Sequence, residues 1–223
     1  KPFLLFEDNE YTWNQLVTRV PFATKIFTSS TFPQYFGKKH IYYNSYEEMA
    51  YCDPNYLKVD QNFVSKKLRN IKSKKRKLIT VRLISWNATH DNREKGLKLN
   101  NKNELLKFIK KLNKFGVLLL SIEGHKPILY DNELGIFEKI DPLQFHTILS
   151  ESDLYIGEGG TTAAEAAIMG VPTIYTSTLV RSYHSELSNK YKLLNITIDR
   201  NKIFQLANNL LFHDKFKKEF QKK

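Results

Sequence analysis

The chain has 223 residues, 41% of them hydrophobic, and carries 35 Lys and Arg against 23 Asp and Glu for a formal net charge of +12. This length and apolar content can bury a real core in one or two domains, which excludes a disordered chain. A single cysteine, Cys52, excludes an internal disulfide framework and fits a reducing, cytoplasmic setting; no apolar run approaches the roughly 20 residues that span a bilayer, and no stretch reads as a signal peptide.

Taken in order, apolar runs and turn residues predict strands at 3–6, 25–28, 40–43, 78–84, 117–122, 136–139, 154–156, 173–175 and 194–198. Helical patterns fall between them at 11–18, 46–51, 103–113, 142–149, 161–169, 182–190 and 201–213. Strands alternating with helices of this length imply βαβ units and a parallel sheet. The first strand follows Lys1 directly, with no opening methionine, so upstream residues are expected to belong to the protein. The basic stretch 64–77 has little apolar periodicity and reads as a linker. It separates residues 1–63, the end of an N-terminal domain, from 78–223, a Rossmann-like domain.

Residues 153–175 carry the strongest signal. Leu154 to Ile156 is a short apolar run, Gly157, Gly159 and Gly160 give backbone freedom, and Thr161 or Thr162 is expected to cap an Ala-rich helix that Gly170 ends. Bare glycines at a helix start leave N–H groups and the positive dipole end facing what lies above the strand, which suits a phosphate. A side chain at 160 should therefore fill the cradle. Glu165, one turn in, is placed to meet a sugar hydroxyl. The same glycine and alanine pattern would also serve close packing alone in any tightly wound α/β protein.

Ligands of open α/β sheets sit at the carboxyl ends of the strands, so the loops that follow the strands are the candidate sources of chemistry. Ser85 to Asp91 brings His90 and Asp91 together, with Arg93 nearby, for acid–base work, phosphate contact or a plain helix cap. Glu123, His125 and Lys126 form a generic charged set. In the next loop Asp141 caps a helix with Pro142 in its first turn, while the Ile140 backbone and the Phe145 ring could hold a base. Arg82, inside an apolar strand, requires an anionic partner from a ligand or a carboxylate.

The six histidines and Cys52 show no zinc spacing, so no metal is assigned and no cofactor is required. The basic runs at 66–77, 107–114 and 215–223 favour anionic partners. Nucleic acid is disfavoured because stacking aromatics and groove-reading motifs are missing. The tail, with Leu210, Leu211, Phe212, Phe216 and Phe220 among lysines, could lie on an anionic membrane or simply be a Lys-rich surface.

Val81-Arg82, then Trp86 to Asp91, Ser121-Ile122-Glu123 and Asp153 to Ala167, together with Phe6-Glu7-Asp8 and Tyr46 to Tyr51, resemble the prokaryotic family called domain of unknown function 354. That family is similar to the GT-B glycosyltransferase and sugar-nucleotide 2-epimerase superfamily, in which two Rossmann-like domains face each other and the second binds a nucleotide diphosphate-sugar. The resemblance implies the C-terminal half of that fold, with a remnant of the N-terminal domain. It implies that Gly159, Gly160 and Thr161 hold the diphosphate, Glu165 the ribose and the Ile140 backbone the base; Arg82, Asp91 and Thr162 join them as candidate nucleotide-sugar contacts, and His90 is the local candidate for a catalytic role. The implied reaction is glycosyl transfer to an unknown acceptor in cell-envelope polysaccharide or glycolipid synthesis. The alternatives are sugar-nucleotide 2-epimerisation, which the only approximate His90 to Arg93 match supports weakly, and a non-catalytic nucleotide-sugar or nucleic-acid binding module.

Overall fold

The structure, a computed structural model, describes residues 1–53, 55–84, 96, 97, 99 and 101–213. The chain begins with β1 (Leu4–Phe6), α1 (Trp13–Arg19), β2 (Lys25–Ser29), β3 (His40–Tyr43) and α2 (Met49–Cys52). A helical stretch follows, made of α3 (Gln61–Phe63), a π-helical turn Val64–Leu68 and α4 (Arg69–Ser73). Then come β4 (Lys77–Leu83), α5 (Lys102–Asn113), β5 (Gly116–Ile122), β6 (Ile128–Asp131), β7 (Ile136–Lys139) and α6 (Phe145–Ser150). The last described elements are β8 (Leu154–Gly157), α7 (Gly160–Ile168), β9 (Thr173–Tyr175), α8 (Ser182–Asn189), β10 (Leu194–Ile196) and α9 (Arg200–Phe212).

These strands form two sheets, a parallel β1-β2-β3 and a seven-stranded β10-β9-β8-β4-β5-β6-β7. The larger sheet is parallel from β10 through β5, as the alternation implied, whereas β6 runs antiparallel to both β5 and β7. No strand was expected at 128–131. Only four residues long and directly behind Pro127, it is built by a reversal through Gly124 at φ 80°, a conformation in which glycine avoids the Cβ penalty.

Alternate residues of β4 point to opposite layers. Ile79, Val81 and Leu83 pack with Phe108 and Leu112 of α5 and with Ile203, Ala207, Leu210 and Leu211 of α9, while Leu78 packs with Leu68, Ile71, Val117 and Ile148 on the other face. Both long helices are capped as their sequences allow: Asn101 accepts the Glu104 amide at 2.9 Å, and Asp199 accepts those of Asn201 and Lys202. Two expectations change here. The stretch 64–77 is helical through Ser73, and the three-residue spacing of Leu68 and Ile71 puts both in the core, with Lys66 and Lys67 outside. Leu210 and Leu211 are spent in the core as well, which removes two apolar residues from the expected membrane-facing tail; residues 214–223 lie outside the described residues.

The smaller sheet buries Leu5, Ala23 and Ile26 and meets the larger unit through loops. Glu10 accepts from the Ser182 amide at 2.9 Å and hydroxyl at 3.0 Å, the Tyr11 hydroxyl donates to the Val180 carbonyl at 2.9 Å, and Tyr46 donates to Glu186. The segment after β3 is thereby held against α7 and α8. Among the described residues no helix is long and apolar enough to cross a membrane.

Candidate functional site

At the carboxyl ends of β4 and β8, Arg82 is paired with Gly157, and the Glu158 amide donates to the Arg82 carbonyl at 3.0 Å. Arg82 is thus the penultimate residue of β4, at its carboxyl end and not in mid-strand. Its Nη1 donates to the Ser121 hydroxyl at 2.9 Å, and its guanidinium lies 5.5 Å from the centre of the Phe145 ring. Among the described residues no carboxylate lies within ion-pair distance of it. The sequence required an anion at this position, so the observed hydroxyl and ring leave that role to a ligand or to residues outside the described set.

Arg82 runs beside the start of α7. A Cβ built on Gly159 would sit 3.4 Å from Arg82 Nε. Gly159 is itself the N-cap, in an extended conformation, and among the described residues no side chain caps the helix. The expectation that Thr161 or Thr162 caps it is corrected: both lie inside the first turn, Thr161 exposed and Thr162 buried. With no side-chain acceptor among the described residues, the leading amides of a nine-residue helix and its positive dipole end face the same spot as a guanidinium.

Gly160 is small for a reason that sequence alone did not reveal. Its absent Cβ would lie 2.7 Å from His184 Cε1 and 3.2 Å from the Tyr175 hydroxyl, so a side chain at 160 would collide with protein and not fill the cradle. His184 is wholly buried between Tyr175 and Tyr183, at ring-centre distances of 4.7 and 4.2 Å. Its Nδ1 accepts the Arg181 amide at 3.2 Å, which leaves Nε2 to donate to the Gly160 carbonyl at 3.0 Å. Burial lowers its pKa to about 3, so the ring is neutral and acts as a wall of the turn.

Glu158 is the other residue that sequence reasoning passed over. Its carboxylate, 5% exposed, accepts the Ile84 amide at 3.2 Å and the Leu97 amide at 2.8 Å, tying together the two ends of segment 85–95. His90 and Asp91 fall in that segment and lie outside the described residues. In the neighbouring loop the Glu123 amide donates to the Leu83 carbonyl at 3.0 Å. Ile140 stands at the same sheet edge, and its N–H is already donated to the Pro127 carbonyl at 2.8 Å, so only its carbonyl could meet a base. Asp141 caps the following turn, as the sequence indicates, by accepting the Leu143 amide at 3.0 Å.

Glu165, 6% exposed, lies one turn into α7 with its Oε1 turned toward the other unit. The Tyr51 hydroxyl donates to Oε1 at 3.1 Å, and His146 Nε2 lies 3.3 Å from the same oxygen. That carboxylate raises the His146 pKa above its ordinary value, against partial desolvation. Cys52 completes the group: its sulfur, His146 Nε2 or Nδ1 and a Glu165 oxygen all lie within 4.8 Å of one another. Sequence spacing could not show this, because the three residues come from α2, α6 and α7.

Between the two sheets, Asp8, Glu10, Glu47 and Glu48 surround a small pocket with Tyr43 and Tyr183. Burial, helped by the Asp8, Glu165 and Glu47 carboxylates, raises the Glu48 pKa to about 7, where a carboxyl group can exchange protons near neutrality.

The chain belongs to the family described as "Protein of unknown function (DUF354)", whose model matches residues 4–220. No curated protein gives a match. Among solved structures, a protein from Listeria monocytogenes assigned as a UDP-N-acetylglucosamine 2-epimerase superposes with a TM-score of 0.54 at 14% identity, over 97% of this chain and 66% of that one. At that identity the likeness establishes the fold, a Rossmann-like α/β unit, and the chain spans just under two thirds of the other's length. The glycosyltransferase of kitacinnamycin matches at a TM-score of 0.41 and 12% identity over 90% of this chain and 49% of that one. The wall teichoic acid polymerase TagF matches at 0.43 and 12% over 93% and 53%.

Proposed function

We propose that this chain is the donor-binding part of a GT-B-like glycosyltransferase that takes a nucleotide diphosphate-sugar. The observation that carries this reading is the uncapped start of α7 beside Arg82: amides, a helix dipole and a guanidinium converge on one spot at the carboxyl ends of β4 and β8. In this reading the Gly160 and Thr161 amides and Arg82 hold the diphosphate, and the Thr161 and Thr162 hydroxyls add contacts. Glu165 receives a ribose hydroxyl at Oε2, since Oε1 faces Tyr51 and His146, and the Ile140 carbonyl meets the base. Asp91 and His90 remain the candidates from segment 85–95 for a further phosphate contact and for proton transfer.

The chemistry is electrostatic. As the bond from the anomeric carbon to the diphosphate breaks, negative charge grows on the departing oxygen, and amides fixed by the α7 backbone together with Arg82 stabilise it without reorganising. A base must take the proton of the acceptor hydroxyl. Cell-envelope polysaccharide or glycolipid synthesis remains the proposed setting, with peripheral contact to an anionic membrane through the basic tail as its outermost part.

Calorimetric titration with nucleoside diphosphates, their sugars and the matching nucleosides tests the reading. Expected is binding of the diphosphates and sugar conjugates with at least a hundredfold loss for nucleosides; equal affinity for nucleosides would remove the diphosphate site. Incubation of the donor with and without acceptor then separates the reactions. A transferase releases diphosphate only when an acceptor is added, and conversion of the donor sugar without one would indicate an epimerase.

A further inference from the structure

Cys52, His146 and Glu165 are far apart in sequence yet converge at the junction of α2, α6 and α7. A tetrahedral zinc ion with bonds of about 2.0–2.3 Å holds its ligand atoms about 3.3–3.7 Å apart. The His146–Glu165 pair already stands at 3.3 Å, and the whole set lies within 4.8 Å, so side-chain rotation of about an ångström would close it. The donor set is one thiol, one imidazole and one carboxylate, a borderline-soft combination that suits zinc and its neighbours rather than magnesium or calcium.

The surroundings favour a cation. Glu165 and Cys52 are both buried, and the groups turned toward them include a second carboxylate, Glu48. Buried negative charge costs several kcal/mol unless matched, and beyond the Tyr51 hydroxyl the partner of Glu165 in this cluster is a half-buried histidine. Tyr51 also provides what a metal-bound carboxylate needs, a hydrogen bond that fixes its orientation.

We propose that Cys52, His146 and Glu165 form a zinc site with three protein ligands, fixing the segment after β3 to the start of the α6–α7 layer. The fourth position is left for water or a bound molecule. The site does not depend on the sugar-nucleotide reading, and nucleotide binding measured on chelator-stripped protein fails or succeeds independently of it.

Cobalt substitution of the full chain, stripped with chelator, provides the test. Cys52 is the only cysteine, so any sulfur-to-cobalt charge-transfer band reports this site alone. One equivalent of Co²⁺ should give that band with the intense visible absorption of tetrahedral cobalt, and Zn²⁺ should displace both. Cys52→Ser should lose the band, His146→Ala and Glu165→Gln should each weaken cobalt binding at least tenfold, and Tyr51→Phe about tenfold. His146 is half-buried, so His146→Ala, with circular dichroism matching the parent, decides the matter if Glu165→Gln does not fold. The proposal is overturned if stoichiometric cobalt gives no charge-transfer band, or if folded His146→Ala binds cobalt as tightly as the parent.

Discussion

Replacing Gly160 by alanine should damage the fold, and its size can be worked from the geometry of the turn. The added methyl would stand 2.7 Å from His184 Cε1 and 3.1 Å from its Nε2, where carbon contacts normally begin near 3.5 Å. The ring cannot step aside without disturbing Tyr175 and Tyr183, which flank it, and moving it breaks the hydrogen bond to the Gly160 carbonyl. Overpacking costs about 1–3 kcal/mol and the lost bond about 1 kcal/mol, so Gly160→Ala should lose about 2–4 kcal/mol. For a chain of this length that corresponds to a fall in Tm of about 5–15 °C. Thermal unfolding followed by circular dichroism measures it, and His184→Ala in the same background should recover part of the loss because the two changes share one contact. A Tm for Gly160→Ala within about 2 °C of the parent would refute the packing argument.

The adjacent glycine should behave oppositely: Gly159→Ala places its methyl at 3.4 Å from Arg82, so Tm should stay near the parent while nucleoside diphosphate affinity drops, read by calorimetry. Arg82→Met keeps the apolar stem but removes charge-assisted bonds worth about 1.5–3 kcal/mol, so diphosphate affinity should fall about 10- to 150-fold with nucleoside binding unchanged. Glu48, with a folded pKa of about 7 against an ordinary 4.5, keeps a proton that the unfolded chain has released, so its contribution to stability declines as pH rises from about 4.5 to 7 and the penalty, about 3 kcal/mol, persists above that window. Denaturant midpoints for Glu48→Gln against the parent should therefore diverge between pH 5 and 8, with the variant losing less; parallel profiles would contradict the assignment. Glu158→Ala leaves the Ile84 and Leu97 amides without their acceptor and should lower stability by about 2–3 kcal/mol in the same assay.

Much of the architecture was readable because periodicity reports burial. β3, β7 and β9 occupy the expected residues, and α5 and α9 begin where Asn101 and Asp199 can cap them. β6 was hidden by its length and by the proline before it. The helix across 61–73 was hidden by its lysine-rich composition, which says little about the two apolar residues, Leu68 and Ile71, that decide its packing. In the candidate site, the glycine turn, Arg82 and Glu165 stand out in the sequence, because glycines, a charge within a strand and a carboxylate within an alanine helix are local anomalies. Local anomaly could not reveal that His184 occupies the space above Gly160, that Glu158 ties Ile84 to Leu97, or that Tyr51, Cys52 and His146 meet Glu165, since these contacts span 19 to 114 residues of sequence. The threonine cap failed for a related reason: Gly159 takes the cap position, so the threonines enter the first turn.

A crystal structure of the chain bound to a nucleoside diphosphate tests the central claim most directly. The account requires the β-phosphate within hydrogen-bonding distance of the Gly160 and Thr161 amides, with the Arg82 guanidinium against it. A nucleotide seated elsewhere, such as the groove beside Phe6, Tyr46 and Tyr51, with the start of α7 occupied only by solvent, would contradict it.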